Sequence, residues 1–99
     1  MKKKSKTKKE KDWLNKTSMF GCVICRWFYN DQDPLPATIH HIRDHTGMGR
    51  KDSEIIPLCY EHHQGFDGFH TLGKKTWESK YDTQRNLHQR FLKEINNDS

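Results

Sequence analysis

Two half-sites of metal-ligand spacing, two short apolar runs of strand character and one C-terminal stripe of helical period predict a small α+β domain stapled by zinc. The half-sites are Cys22-Val-Ile-Cys25 and Cys59-Tyr-Glu-His62, the runs are residues 37–42 and 54–58, and the stripe is Leu87, Phe91, Leu92 and Ile95. Composition explains why a staple is wanted. Only 31% of the 99 residues are apolar and the mean hydropathy is -1.13, so burial alone gives so short a chain little to fold on.

Residues 1–11 are read as a disordered basic tail and residues 12–99 as one folded domain. Seven lysines (Lys2, Lys3, Lys4, Lys6, Lys8, Lys9 and Lys11) face one glutamate in the tail, a net +6. The rest of the chain carries 11 basic and 12 acidic residues, a net -1. A block of like charge repels itself and cannot be buried, and it suits a nucleic-acid backbone. Next, Lys11–Lys16 predicts a short helical turn docked by Trp13 and Leu14. Residues 19–29, MFGCVICRWFY, form an apolar patch around the first half-site, and the two prolines and three Asp or Asn residues of 30–36 predict a loop. Strand 37–42 leads into the loop RDHTGMGRKDS, and the run 54–58 is a second strand reaching Cys59. Helix is expected over Trp77–Tyr81, with Asp82 or Thr83 capping another whose i, i+4, i+5, i+8 stripe packs on the core. No apolar run approaches 18 residues and no hydrophobic stretch follows the charged start, so neither a membrane span nor a secretory signal is expected.

The two half-sites together use every cysteine in the chain. Three thiolates and one imidazole (Cys22, Cys25, Cys59 and His62) are the donor set of a closed tetrahedral Zn2+ site, which joins distant segments and contributes directly to folding. The odd cysteine count disfavours a disulfide framework, and redox exchange at Cys22 and Cys25 leaves Cys59 and His62 unexplained. Four protein ligands leave no open position, so any chemistry belongs elsewhere.

Six other histidines remain. His88, beside Leu87, is expected to be half-exposed, and His45 sits in the 43–53 loop as a surface or phosphate-contacting group. His40 and His41 stand between isoleucines in the first strand, where alternation points neighbours to opposite faces. One phosphate is reached by both only if the strand ends or bends there. His63 follows the second half-site directly, so the zinc fold fixes its place. His70 lies just beyond, in GFDGFH.

The pattern CxxC, then HHI, then a glycine-containing loop, then IPLCxxHH resembles the HNH, or ββα-metal, endonucleases with a structural zinc. The stretch HHIRDHTGMGRKDSEIIPLCYEHHQGFDGFH is similar to one branch, the phage recombination enhancement function nucleases that act with RecA. The resemblance covers roughly residues 20 to 81. It implies a ββα-metal core with added C-terminal helices, and one catalytic Mg2+ or Mn2+ ion held by His40 and His63. It implies His41 as general base, and phosphate contact or metal support from His70. The family's middle asparagine has no clear match: Asp52, Ser53 and Glu54 occupy its neighbourhood, leaving Asp52 or a backbone carbonyl to orient His41. It further implies DNA as substrate, including single-stranded or recombinase-coated DNA, a host RecA partner, and the cytoplasm of a bacterial host cell.

Phosphodiester hydrolysis needs a nucleophile, charge neutralisation at phosphorus and help for the leaving oxygen. A neutral histidine is a competent base near pH 7. Arg43, Arg50 and Lys51 are candidate phosphate contacts in the loop, and the lysine tail adds salt-sensitive affinity. Trp27, Phe28 and Tyr29 are candidates for base stacking or for core packing, and one of Phe66 and Phe69 for a place near substrate. The rival function is a non-catalytic zinc module that binds nucleic acid or bridges it to a protein. It keeps the four zinc ligands and the tail, and treats His41 as a bystander.

Overall fold

The computed structural model describes residues 7–31, 37–42 and 54–97. Helix α1 spans Lys8–Phe20 and α2 spans Val23–Phe28; strands β1, Thr38–His41, and β2, Ile55–Leu58, follow; then come α3, Tyr60–His63, α4, Phe69–Leu72, α5, Lys74–Lys80, and α6, Gln84–Asn97. The α+β architecture is as expected: a small hairpin surrounded by helices, a ββα-type arrangement.

Helix α1 corrects the expected start of order. A short turn over Lys11–Lys16 is instead a 13-residue helix, and residues 8–11, assigned to the disordered tail, form its first turn. The reason is local. Thr7 accepts from the Glu10 amide at 3.1 Å while the Glu10 carboxylate accepts from the Thr7 amide at 2.8 Å, a reciprocal cap. Lys8 also pairs with Asp12 one turn on, which offsets the repulsion among the lysines. Lys2, Lys3, Lys4 and Lys6 lie outside the described residues, as do Arg43, His45, Arg50, Lys51 and Asp52.

Strands β1 and β2 pair antiparallel, with Thr38 opposite Leu58, Ile39 opposite Pro57, His40 opposite Ile56 and His41 opposite Ile55. Pairing runs one step further, since the Ile42 amide donates to the Glu54 carbonyl at 3.0 Å. Two strands alone are marginal in water, and here helices supply what the hairpin lacks. Every residue of β2 is buried, and Ile56 and Leu58 join Val23, Ile24, Phe69, Trp77, Leu87, Phe91 and Ile95 in one core. The predicted stripe of α6 therefore packs as expected, with Thr83 accepting from the Asn86 amide at its start. From α1, Trp13 and Phe20 pack on Phe91 with ring centroids 5.8 and 5.2 Å away. Ser18 fastens α1 to the entrance of β1 by exchanging hydrogen bonds with Ala37.

His88 differs from expectation: it is buried, 7% exposed. It lies four residues after Gln84 and three before Phe91, on the face that α6 turns to the core.

Candidate functional site

Cys22 ends the turn after α1 and caps α2, its sulfur accepting from the Cys25 amide at 3.4 Å. Cys59 occupies the equivalent place before α3, which carries His62 on its first turn. Each half-site is thus a helix start, and the core contact of α2 with β2 brings the two together. The four donor atoms lie within 4.8 Å of one another. Nδ1 of His62 is 3.6 Å from Sγ of Cys22, 3.5 Å from Cys25 and 3.2 Å from Cys59, and the sulfurs of Cys25 and Cys59 are 3.8 Å apart. A tetrahedral zinc with ordinary bond lengths has edges of about 3.6 Å between nitrogen and sulfur and about 3.8 Å between sulfurs. The donors are spaced for that ion.

The electrostatics agree. Burial, followed by the charge of its neighbouring thiols, pushes the Cys25 thiol well above its ordinary value, and burial likewise raises Cys22. Three thiolates this close repel each other until a divalent cation sits among them. Burial also lowers His62, which favours the neutral ring that a metal needs.

Asp67, which sequence reasoning passed over, backs this cluster. Its carboxylate lies 3.8 Å from Nε2 of His62, the nitrogen turned away from the cysteines, and accepts from Lys80 and Tyr81. Those hydrogen bonds, Lys80 first, hold Asp67 below the ordinary carboxylate range. Tyr29 stacks on the His62 ring at 5.6 Å and Tyr81 meets it edge-on at 5.8 Å. Of the three aromatics after the first half-site, Tyr29 thus covers the cluster, Phe28 packs edge-on against Tyr81, and Trp27 donates to Glu94 beneath Arg90.

A second cluster gathers His40, His63 and His70, again with one ligand atom from each within 4.8 Å of the others. His40 points inward from the middle of the paired hairpin and is 1% exposed. His63 closes the short α3, its neighbour His62 facing the cysteines. His70 returns on α4, with its Nε2 3.2 Å from Nε2 of His63. That return depends on glycine. A Cβ on Gly65 would meet the Glu61 backbone at 2.7 Å, and one on Gly68 would meet the His63 backbone at 2.7 Å. The turn 64–68 folds back on α3 only because both positions lack a side chain.

Outer groups hold the rings. Thr38 sits 2.8 Å from Nδ1 of His63, and buried Gln84 sits 2.8 Å from Nε2 of His40. The Phe69 ring packs against His40 with centroids 4.5 Å apart. Three converging imidazoles are a donor set for a divalent transition-metal ion and leave coordination positions for water or substrate.

His41 is not brought into either cluster. The hairpin stays paired through Ile42, with no bend at His41, so strand alternation sends its half-buried ring to the face opposite His40. Phe66 stands exposed at the tip of the 64–68 turn while Phe69 is buried. Among the described residues no helix is long and apolar enough to cross a membrane. Comparison with family models, with curated proteins and with solved structures finds no match to this chain.

Proposed function

We propose that this protein is a metal-dependent endonuclease that hydrolyses DNA phosphodiester bonds. The observation that carries the reading is the pair of clusters. One has four thiolate and imidazole donors at the spacing of a closed structural zinc; the other has three imidazoles, fewer donors than a divalent ion takes. The ββα-type arrangement around them and the HHI and IPLCxxHH motifs support the HNH class, and the longer 40–70 stretch supports its RecA-linked branch.

His40, His63 and His70 would hold the working ion, which would supply positive charge to stabilise the phosphate and its leaving group. The resemblance favours Mg2+ or Mn2+, whereas three imidazoles favour Zn2+ or a late transition metal, so a metal series belongs in the test. His41 is proposed as the base that takes a proton from the attacking water, and the departing 3′ oxygen takes one from solvent, leaving a 5′ phosphate and a 3′ hydroxyl. Its ring faces away from the histidine cluster, so in this role the end of β1 must turn toward the phosphate when substrate binds. Arg43, Arg50 and Lys51, which follow β1 and precede β2 in the sequence, are proposed to hold phosphates, and the tail lysines to add non-specific affinity. DNA, including single-stranded or recombinase-coated DNA, is the proposed target and host RecA the proposed partner.

A second reading is a non-catalytic zinc module on nucleic acid. One observation favours it: His41 lies across the hairpin from the histidine cluster. Plasmid nicking separates the two. The nuclease reading expects nicking that depends on added divalent metal and is lost in His41→Ala at unchanged zinc content; no nicking with any metal, on naked or recombinase-coated DNA, would favour the module. Cleavage of paired or displaced strands should rise with a recombinase filament, and no rise would reduce the claim to a plain nuclease.

A further inference from the structure

We propose that Gln84 and Thr38 set the tautomers of the histidine cluster, so that His40 offers Nδ1 and His63 offers Nε2 to a divalent transition-metal ion. The proposal rests on reading that cluster as a metal site, and it makes Gln84 and Thr38 positioning residues rather than ligands.

The argument is one of donor and acceptor capacity. Glu78 Oε2 receives both the backbone amide of Gln84, at 2.8 Å, and its side-chain amide nitrogen, at 3.0 Å. A carboxylate only accepts, so the side-chain amide must turn its nitrogen to Glu78 and its oxygen to His40. Hydrogen bonds from Gln84 and Lys74 outweigh the effect of burial and hold Glu78 below its ordinary range, which keeps it ionised. Gln84 Oε1 lies 2.8 Å from His40 Nε2 and has no proton to give. His40 must therefore donate from Nε2, and its lone pair is on Nδ1.

The second chain is shorter. The Thr38 hydroxyl lies 2.6 Å from the Leu58 carbonyl and 2.8 Å from Nδ1 of His63. Its single proton goes to the carbonyl, which can only accept, so His63 donates from Nδ1. The His63 lone pair is then on Nε2, the atom that faces His70 at 3.2 Å. Two unrelated networks, one from α6 and one from the hairpin, thus fix the tautomers that a metal requires before any metal arrives. Fixing a ring's tautomer and plane through its far nitrogen is how outer groups raise metal affinity.

The test uses full-length protein with its zinc retained. Ring 15N chemical shifts, before further metal is added and at a pH where both rings are neutral, should show His40 protonated on Nε2 and His63 on Nδ1; either ring in the other tautomer overturns the proposal. Co2+ titration, read by its visible absorption, should then show second-site affinity about ten- to hundredfold weaker in Thr38→Val. Thr38→Ser should recover wild-type binding. Thr38 is exposed and valine matches its shape, so this variant puts the fold at little risk. Gln84→Met should weaken binding similarly. Wild-type affinity in both Thr38→Val and Gln84→Met overturns the positioning role of the two residues alone. No second-site Co2+ binding in wild type overturns the metal-site reading as well.

Discussion

Stripping zinc from the Cys22–Cys25–Cys59–His62 cluster should unfold the domain at temperatures the loaded protein withstands. The ion would tie Cys25 to Cys59, 34 positions on. A cross-link closing a loop of that length constrains the denatured chain by about 4 kcal/mol, taking the chain-entropy relation used for disulfides. Natural domains of this size have a net stability of about 5–15 kcal/mol, so the loss is a large share of the total. At about 4–8 °C per kcal/mol the melting temperature should fall by roughly 15–30 °C. This is a lower bound, because repulsion among the three sulfurs and the lost metal–ligand bonds come in addition. The assay is far-ultraviolet circular dichroism on heating, with reductant present, before and after a strong chelator, with zinc counted in each sample. A shift under about 5 °C in protein shown to be zinc-free would refute the reasoning, because the core would then be holding the hairpin and helices without the staple.

Three other outcomes follow from the same geometry. Glu78 has a folded pKa below its ordinary value, so it stabilises the fold above the unfolded pKa and that contribution is lost as pH falls through the folded one. Chemical denaturation across the acid range should therefore show Glu78→Gln less stable than wild type near neutrality, with the gap closing on acidification; a constant gap would contradict it. Gly68→Ala puts a Cβ 2.7 Å from the His63 backbone and should push His70 away, weakening Co2+ binding at the second cluster while one zinc per chain remains. Wild-type cobalt affinity in that variant would show that the turn is not what delivers His70. Deleting residues 1–6 removes four lysines and should reduce the slope of log K against log salt for duplex DNA by up to about 3.6. An unchanged slope would remove the tail from the DNA interface.

Much of the metal chemistry is legible in the chain because it is local. Cys22 and Cys25 share one helix start, Cys59 and His62 another, and two-residue spacing is a property of that turn. His63 inherits its place from His62 by adjacency, and strand alternation sends His40 and His41 to opposite faces. The partners of the histidines are harder to see because the fold, not the spacing, delivers them. Gln84 is 44 positions from His40 and Thr38 is 25 from His63. A signal for Gln84 does exist. Read backwards from Ile95, the core stripe of α6 runs Phe91, His88, Leu87, Gln84 at helical spacing, and a glutamine or histidine in such a stripe must find a buried hydrogen-bond partner. Extending the stripe by one turn would have predicted both the burial of His88 and a role for Gln84. Asp67 had a weaker signal, a carboxylate between two glycines in the turn joining His63 to His70. The start of α1 was obscured by charge: seven lysines suggest a solvated arm, whereas Thr7 and Glu10 form a capping box that begins a helix within it.

We propose a closed zinc staple beside a separate histidine site that performs hydrolysis. Its most direct test is elemental mass spectrometry and plasmid nicking on the same preparations of wild type and His63→Ala. One tightly held zinc per chain is expected in both, with metal-dependent nicking in wild type alone. Equal nicking by the two proteins would show that the histidine cluster is not where the chemistry occurs.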